Sequence, residues 1–465
     1  MKKSSHPAAW AVSLARSRRP GLQDTPQWRH VRAYGREIDL AAAFRQPAGI
    51  VASLYTQLRV PAGGLADLRV TCDGGVEVWL DGYQAPAATE TRPLAELNLE
   101  GGPHELVLSV GVDRPARTVA AELTSGEGVS YSCSRPPGAQ QPDHISGVFL
   151  YWGNRFAQED LDQWRERFAF LGALGMDSLI VQFSVVEGTA FYPSHHLSTA
   201  APAGVDPTER MLTAAAERGF SVHLGVASDE RNWWDIPYRP ADLPKYVDEE
   251  SDRNNRIAQE LVALYRDSPA LAGIYLSHEI HLGDEWGDAN MPHLVELFNR
   301  MSDEVHRLAP ELAVSTAPFF SLRGSIEQYE DRWRRFLDQT RLDLLMLQDG
   351  VGCERHITVD STVPYYQATE RACAAAGVEF WTDLELFDLN PPHTVPPERV
   401  RAQLTREAGH VQKVVAYSLG DLTPEFAASL PGVTLADAGR GAHLANEGTV
   451  VAQTTRARKA DLGAE

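Results

Sequence analysis

The sequence predicts an α/β chain in which an antiparallel β-sandwich precedes a (β/α)8 barrel. Three observations lead there. Between about residues 27 and 123, short runs alternate apolar and polar residues and are broken by Asp-Gly and Gly-Gly turns. After Ile145, eight short apolar runs alternate with amphipathic stretches. The chain has 465 residues, more than one hydrophobic core normally holds, so two domains plus tails are expected.

The first region supplies its strands in order. SLYTQLRV (53–60) alternates apolar and polar residues, and LRVTC (68–72) does so again. Asp73-Gly74-Gly75 makes a turn, VEVWL (76–80) follows, Asp81-Gly82 closes it, and HELVLSVGV (104–112) adds another strand. Period-two runs between such turns describe strands with one buried face. The sandwich is assigned to 27–132. Residues 1–26 surround a short, weakly apolar stretch with Lys2, Lys3, Arg16, Arg18 and Arg19 and read as a flexible leader, short of a signal-peptide core. That favours a cytoplasmic location, with secretion as the alternative. Residues 133–144 (CSRPPGAQQPDH) read as a linker, and 432–465 as a flexible tail.

The barrel is assigned to 145–431. Its strand candidates are ISGVFLYW (145–152), MDSLIVQFSVV (176–186), FSVHLGVASDE (220–230) and LAGIYLSHE (271–279). LAVSTAPFF (312–320), LDLLMLQDG (342–350), VEFWTDLELF (378–387) and VVAYSLGD (414–421) complete the eight. Helical patterns follow at 159–174, 207–218, 248–266, 293–308, 326–339, 365–375 and 397–408. The second of these opens on Asp206-Pro207-Thr208-Glu209, an N-cap, a first-turn proline and a third-position acid. Eight strands in that alternation suit a closed barrel, with a doubly wound sheet as the alternative.

Composition narrows the function classes. A formal net charge of −20 argues against a nucleic-acid partner, which needs a basic surface. No apolar run approaches a membrane span. Cys72, Cys133, Cys353 and Cys373 form no CxxC pair and read as buried free thiols. No GxSxG, Walker or GxGxxG motif follows a strand, which weakens esterase, nucleotide and dinucleotide readings.

Barrel sites are built from the C-terminal ends of strands and the loops beyond them. Those ends bring Trp152, Gln182, His223, Asp229, Glu230, His278, Glu279, Gln348, Asp349, Glu385, Ser418 and Asp421, with Trp233, Trp234 and Trp286 in the loops. Carboxylates with indoles fit a carbohydrate site, where acids do chemistry and flat rings stack on sugars. Glu279 and Glu385 end the fourth and seventh strands. Alternation points Asp383 and Glu385 to one face. Gln348 and Asp349 precede glycines that leave room for substrate. Trp233 and Trp234 read as a stacking platform. His278, His281, Asp284 and Glu285 crowd one loop, but their spacing is not that of HExxH, and no metal is assigned.

These residues resemble a known family. GVFLYW, LIVQ, GIYLSHE, LQDGVG and WTDLELF resemble the glycosidase-like TIM-barrel family catalogued as domain of unknown function 4434. Glutamates closing strands four and seven are similar to those of the clan A retaining glycoside hydrolases. That resemblance implies Glu279 as acid/base and Glu385 as nucleophile, with no cofactor. Clan A enzymes usually place asparagine before the first glutamate; here the residue is His278, so that asparagine's sugar contact does not transfer. CDGGVEVWLDG is similar to the jelly-roll-like carbohydrate-binding domains that precede some glycosidase barrels.

The expectation is therefore a retaining glycoside hydrolase with Glu279 and Glu385 as catalytic residues. Trp152, Gln182, His223, Trp233, Trp234, His278, Gln348 and Asp349 would bind the substrate. A non-catalytic carbohydrate-binding barrel, a metal-dependent hydrolase using His223, His278 and His281, and an inverting enzyme using Asp349 are the alternatives. The separation of the two carboxyl groups would set the stereochemistry. The sequence leaves the sugar and the oligomeric state open.

Overall fold

A computed structural model describes residues 3–5, 9–14, 29–32, 37–40, 52–60, 64–85, 94–111, 116, 118–125, 129–132, 142–201, 204–227, 232–354, 356–389 and 392–422. The chain divides into two compact units, Met1–Gln140 with Arg371–Glu379 and Gln141–Glu370 with Phe380–Glu465.

The first unit is an antiparallel sandwich. One sheet runs Arg29–Arg32, Ala9–Leu14, Ala52–Val60, Gly102–Val110, Val76–Leu80 and Tyr83–Gln84, with Ser130–Ser132 also on Ala52–Val60. The other runs Lys3–Ser5, Thr118–Ser125, Gly64–Cys72 and Leu94–Leu99, with Glu37–Asp39 also on Thr118–Ser125. Alternate residues of both sheets meet in one core: Trp10, Val12, Leu54, Leu58 and Leu108 from the first, Ile38, Leu68, Val70, Leu97 and Leu123 from the second. That is the inward phase that period-two patterning demands.

Residues read as a flexible leader contribute two of these strands, Lys3–Ser5 and Ala9–Leu14. The reason is visible in AWAVSL, whose Trp10 and Val12 fall two apart and are 2% and 0% exposed. The alanines and serine between them make the stretch look weakly apolar on average, and the average hid the alternation. The linker and the tail lie almost wholly outside the described residues.

In the second unit, eight parallel strands close into a barrel. They are β1 Gly147–Leu150, β2 Ser178–Val181, β3 Ser221–Gly225, β4 Leu271–Tyr275, β5 Ala313–Thr316, β6 Leu344–Gln348, β7 Glu379–Glu385 and β8 Lys413–Tyr417. The helices between them are α1 Leu161–Ala173, α2 Pro207–Glu217, α3 Leu243–Tyr265, α4 Met291–Leu308, α5 Ile326–Gln339, α6 Val359–Ala376 and α7 Pro397–Glu407. Closure favours the barrel over the doubly wound sheet.

Local chemistry sets the helix starts. Asp160 and Ser325 each form a reciprocal capping box, with Gln163 and Gln328. Asp206 accepts from the Glu209 N–H, with Pro207 in the first turn. α6 begins at Val359 rather than 365 and carries Pro364 inside it, where the ring removes one intrahelical hydrogen bond.

Inward-facing Phe149, Ile180, Tyr275, Leu344, Met346, Trp381 and Val415 pack into one cluster that fills the barrel, with Tyr417 against it. The opposite phase, including Leu150, Val181, Leu224, Ile274 and Leu345, is also buried, as a helix-jacketed barrel requires. No helix among the described residues is long and apolar enough to cross a membrane.

Trp10 offers a test of the first unit's extent. Trp10→Ala should destabilise the sandwich by about 3–5 kcal/mol, the cost of truncating a buried tryptophan. Thermal unfolding of the full chain would show the shift, whereas a residue in a flexible leader would move nothing.

Candidate active site

The lumen phase of the strands, followed to their C-terminal ends, assembles the site. β7 presents Asp383 and then Glu385, and β8 pairs Tyr417 directly beside Glu385. The Tyr417 hydroxyl donates to Gln182 Oε1 beyond β2 at 2.8 Å. Tyr275 ends β4, and Glu279 follows it by two further alternations. Burial first, then the charges of Glu279 and Asp383, push the Tyr275 phenol well above its ordinary value. One phenol feeling both carboxylates places the β4 and β7 acids around one mouth.

Glu385 is 3% exposed and is held by backbone. Its Oε2 accepts from the Gly352 and Cys353 N–H groups at 2.7 and 2.9 Å. Both belong to the turn after β6. No donor to Oε1 is present among the described residues. Two peptide N–H groups on one carboxylate oxygen fix its rotamer. Gly352 permits this approach: a Cβ there would lie 2.1 Å from the Phe387 carbonyl oxygen.

Asp349 lies behind Glu385 and is fully buried. Its Oδ1 accepts from the Val351 N–H at 3.1 Å and more weakly from the Glu385 N–H at 3.4 Å. Its Oδ2 accepts from Gln403 Nε2 on α7. Arg399, also on α7, donates to the Glu385 and Phe387 carbonyls at 2.6 and 2.8 Å. Burial, then the Glu385 charge, pushes Asp349 up to about 7. Glu407 is pushed well up by burial and by Asp349, and accepts from Thr382 and Thr362.

Glu279 is half-buried and is supported through its main chain. Trp233 Nε1 donates to its carbonyl at 2.7 Å. Trp233 packs on Trp286 and edge-on to His278, with ring centroids 5.2 and 4.8 Å away. His278 Nε2 donates to Glu250 Oε1 on α3 at 2.8 Å. Burial opposes ionisation of Glu250, but His278 and Arg253 together hold it below its ordinary value. Asn254 joins this group to β3 by accepting from the Ala227 N–H.

Several residues expected to touch substrate do not reach the mouth. Trp152 is one position out of phase: it faces α1, stacked on Phe191 and edge-on to Trp164. Tyr151 holds the lumen phase instead. His223 is inward but mid-strand, sharing a hydrogen bond with Ser315 at 3.0 Å and filling the space over Gly273. His278 and Trp233 are buried behind Glu279, and Asp349 behind Glu385. Trp234 is half-buried beside Phe319, which also packs on His281, and these three rings edge the mouth. Gln348 points inward and donates to the Ala317 carbonyl at 2.9 Å.

Asp229 and Glu230 lie outside the described residues. Sequence reading passed over Tyr151, Tyr275 and Tyr417. Counting forward by twos from Phe149 and Val415, and back by twos from Glu279, reaches them. The three histidines are dispersed, on Ser315, Glu250 and Glu285 respectively. Among the described residues, no three His, Cys, Asp or Glu side chains converge as a metal site.

Asp349 makes the pH dependence of stability testable. Its native value of about 7 lies above the ordinary 3.8. The native chain therefore keeps a proton that the unfolded chain has lost. Stability from this group is full below about pH 4 and is lost as pH rises to about 7. Asp349→Asn should flatten that decline in denaturant unfolding measured from pH 4 to 8. An unchanged slope would count against a proton held on Asp349.

Comparison with solved structures finds low likeness. A candidate α-L-fucosidase from Bacteroides thetaiotaomicron is 19% identical over 60% of this chain and 88% of its own, with a TM-score of 0.48. An endo-1,4-β-mannanase from Rhizomucor miehei is 12% identical over 62% of this chain and 88% of its own, at 0.43. The PgaB (BpsB) glycoside hydrolase domain from Bordetella bronchiseptica is 12% identical over 66% and 99%, at 0.39. At these scores the likenesses decide neither fold nor activity. No curated protein matches the chain. The model of the family described as domain of unknown function DUF4434 matches residues 145–428, the whole barrel and more than half of the sequence. The chain belongs to that family.

Proposed function

We propose that the protein is a retaining glycoside hydrolase acting on an oligo- or polysaccharide. The observation that supports this most is that Glu279 follows β4 and Glu385 ends β7, three strands apart round the closed barrel, with the Glu385 carboxylate held by two peptide N–H groups. Glu385 Oε1 attacks the anomeric carbon as the glycosidic bond breaks. Protonated Glu279 gives its proton to the departing oxygen. Glu279, now ionised, takes a proton from water, which attacks the anomeric carbon and frees Glu385. Gln182, Tyr417 and Asp383 would hold sugar hydroxyls, and Trp234 with Phe319 would stack on a neighbouring ring.

The test is a pair of variants assayed on a panel of 2,4-dinitrophenyl glycosides. Glu385→Gln should lower turnover by about 10⁴-fold or more, because the covalent route is gone. Glu279→Gln should keep much of the first step, since a good leaving group needs little protonation. Azide should restore its second step and give a glycosyl azide of retained configuration. Parental rates in both variants would remove both carboxylates from the chemistry. An inverted product from the parental chain would replace the nucleophile by a general base.

A further inference from the structure

The mechanism above uses Glu385 but leaves the buried acid behind it unexplained. Asp349 is fully buried, so it cannot touch a substrate. It is nevertheless bonded to the turn, the strand and the helix around Glu385. Its N–H donates to the Asp383 carbonyl at 3.2 Å, tying the end of β6 to β7. Its Oδ1 accepts from Val351 at 3.1 Å, which folds the chain back within two residues. The next two N–H groups, Gly352 and Cys353, then point at Glu385 Oε2. Its Oδ2 is gripped by Gln403 of α7.

We propose that Asp349 is a positioning residue for Glu385: its carboxyl group holds the 349–353 turn in the shape that presents two peptide N–H groups to the nucleophile. This rests on the reading of Glu385 as nucleophile. The turn carries a backbone bond of its own, from the Glu354 N–H to the Gly350 carbonyl at 3.0 Å. Gly350 is in the left-handed region at φ +69°, and Gly350 and Gly352 are buried with no side chain to pack, so hydrogen bonds set the shape between them. The backbone of Glu385 is held chiefly by Arg399 on its carbonyl at 2.6 Å, with longer contacts to Gln403 at 3.5 Å and Asp349 at 3.4 Å. The Arg399 bond survives loss of Asp349, so that loss should loosen the carboxylate more than the main chain. A released nucleophile still allows the sugar to bind, but it leaves the line of attack. Misplacement of about 1 Å is enough to cost about 10²-fold in rate.

The prediction separates positioning from charge and from folding. Asp349→Asn keeps an acceptor for Val351, and its Nδ2 donates to Gln403 Oε1 once the Gln403 amide turns over, so it should stay within about 10-fold of parental kcat. Asp349→Ala removes both bonds and should lower kcat by about 10²-fold on the 2,4-dinitrophenyl glycoside the parent cleaves, with KM nearly unchanged. Gln403→Leu, which spares Asp349, should show the same split more weakly and serves if Asp349→Ala does not fold. Parental kcat in both Asp349→Ala and Gln403→Leu would overturn the proposal, as would equal losses in the Asn and Ala variants. Deuterium uptake by the 350–354 peptide provides a readout independent of any sugar. It should rise in Asp349→Ala and in Gln403→Leu but not in Asp349→Asn, and unchanged uptake would overturn the clamp even if the parent cleaves no glycoside. A parent inactive on the whole panel, with uptake rising as expected, would sink the glycosidase reading and leave the clamp standing.

Discussion

A closed parallel barrel gives each strand residue only two places to go, the lumen or the helical jacket. That parity decides which polar side chains are chemistry and which are support. Fixing Phe149, Ile180, Tyr275, Trp381 and Val415 in the lumen leaves no freedom two residues later. Tyr151, Gln182, Asp383, Glu385 and Tyr417 follow in the same phase. Trp152 and His278 fall in the other phase, where they meet α1 and α3 respectively. A one-residue slip in β7 would move Glu385 from the mouth to the jacket and put Leu384 in its place.

The same parity sets the electrostatics. Two carboxyl groups, Asp349 and Glu385, share a small buried neighbourhood at the β6 and β7 ends. Two adjacent negative charges there are costly, so one group keeps a proton. Glu385 has two peptide N–H groups on a single oxygen. Asp349 is held by the Gln403 amide, one N–H and one long contact, and it is the group that burial and the Glu385 charge push up to about 7.

Much of this was legible in the sequence. The eight apolar runs, the loop chemistry at Asp206-Pro207 and Ser325, and the acids at two strand ends are local signals that the barrel uses as written. What failed was the step from strand end to side-chain direction. Large aromatics and histidines at strand ends look like ligand contacts, and Trp152, Trp233 and His278 were assigned so. Such rings are also what the jacket needs to fill wide gaps between strand and helix, and only phase separates the two uses. The backbone clamp on Glu385 was illegible for another reason. Peptide N–H groups have no letter in the sequence, and Gly352 marks only the room they need. Ala9–Leu14 failed on averaging, since two buried residues among alanines and a serine lower the mean while keeping the period.

The two glutamates are supported in opposite ways, and the proposed division of labour requires that difference. A nucleophile works with a standing charge and a fixed line of attack. Peptide N–H groups supply both, since they neither titrate nor move with a side-chain rotamer. An acid/base must lose and regain a proton in each cycle, so it needs exchange with water and no permanent donors on its charge. Glu279 is half-buried, and Trp233 bonds its main-chain carbonyl. Behind it, buried His278 bonds buried Glu250, which pairs with the more exposed Arg253. The difference between the two sites is one of kind: peptide N–H groups grip the Glu385 carboxylate itself, while the described bond at Glu279 is to its main chain.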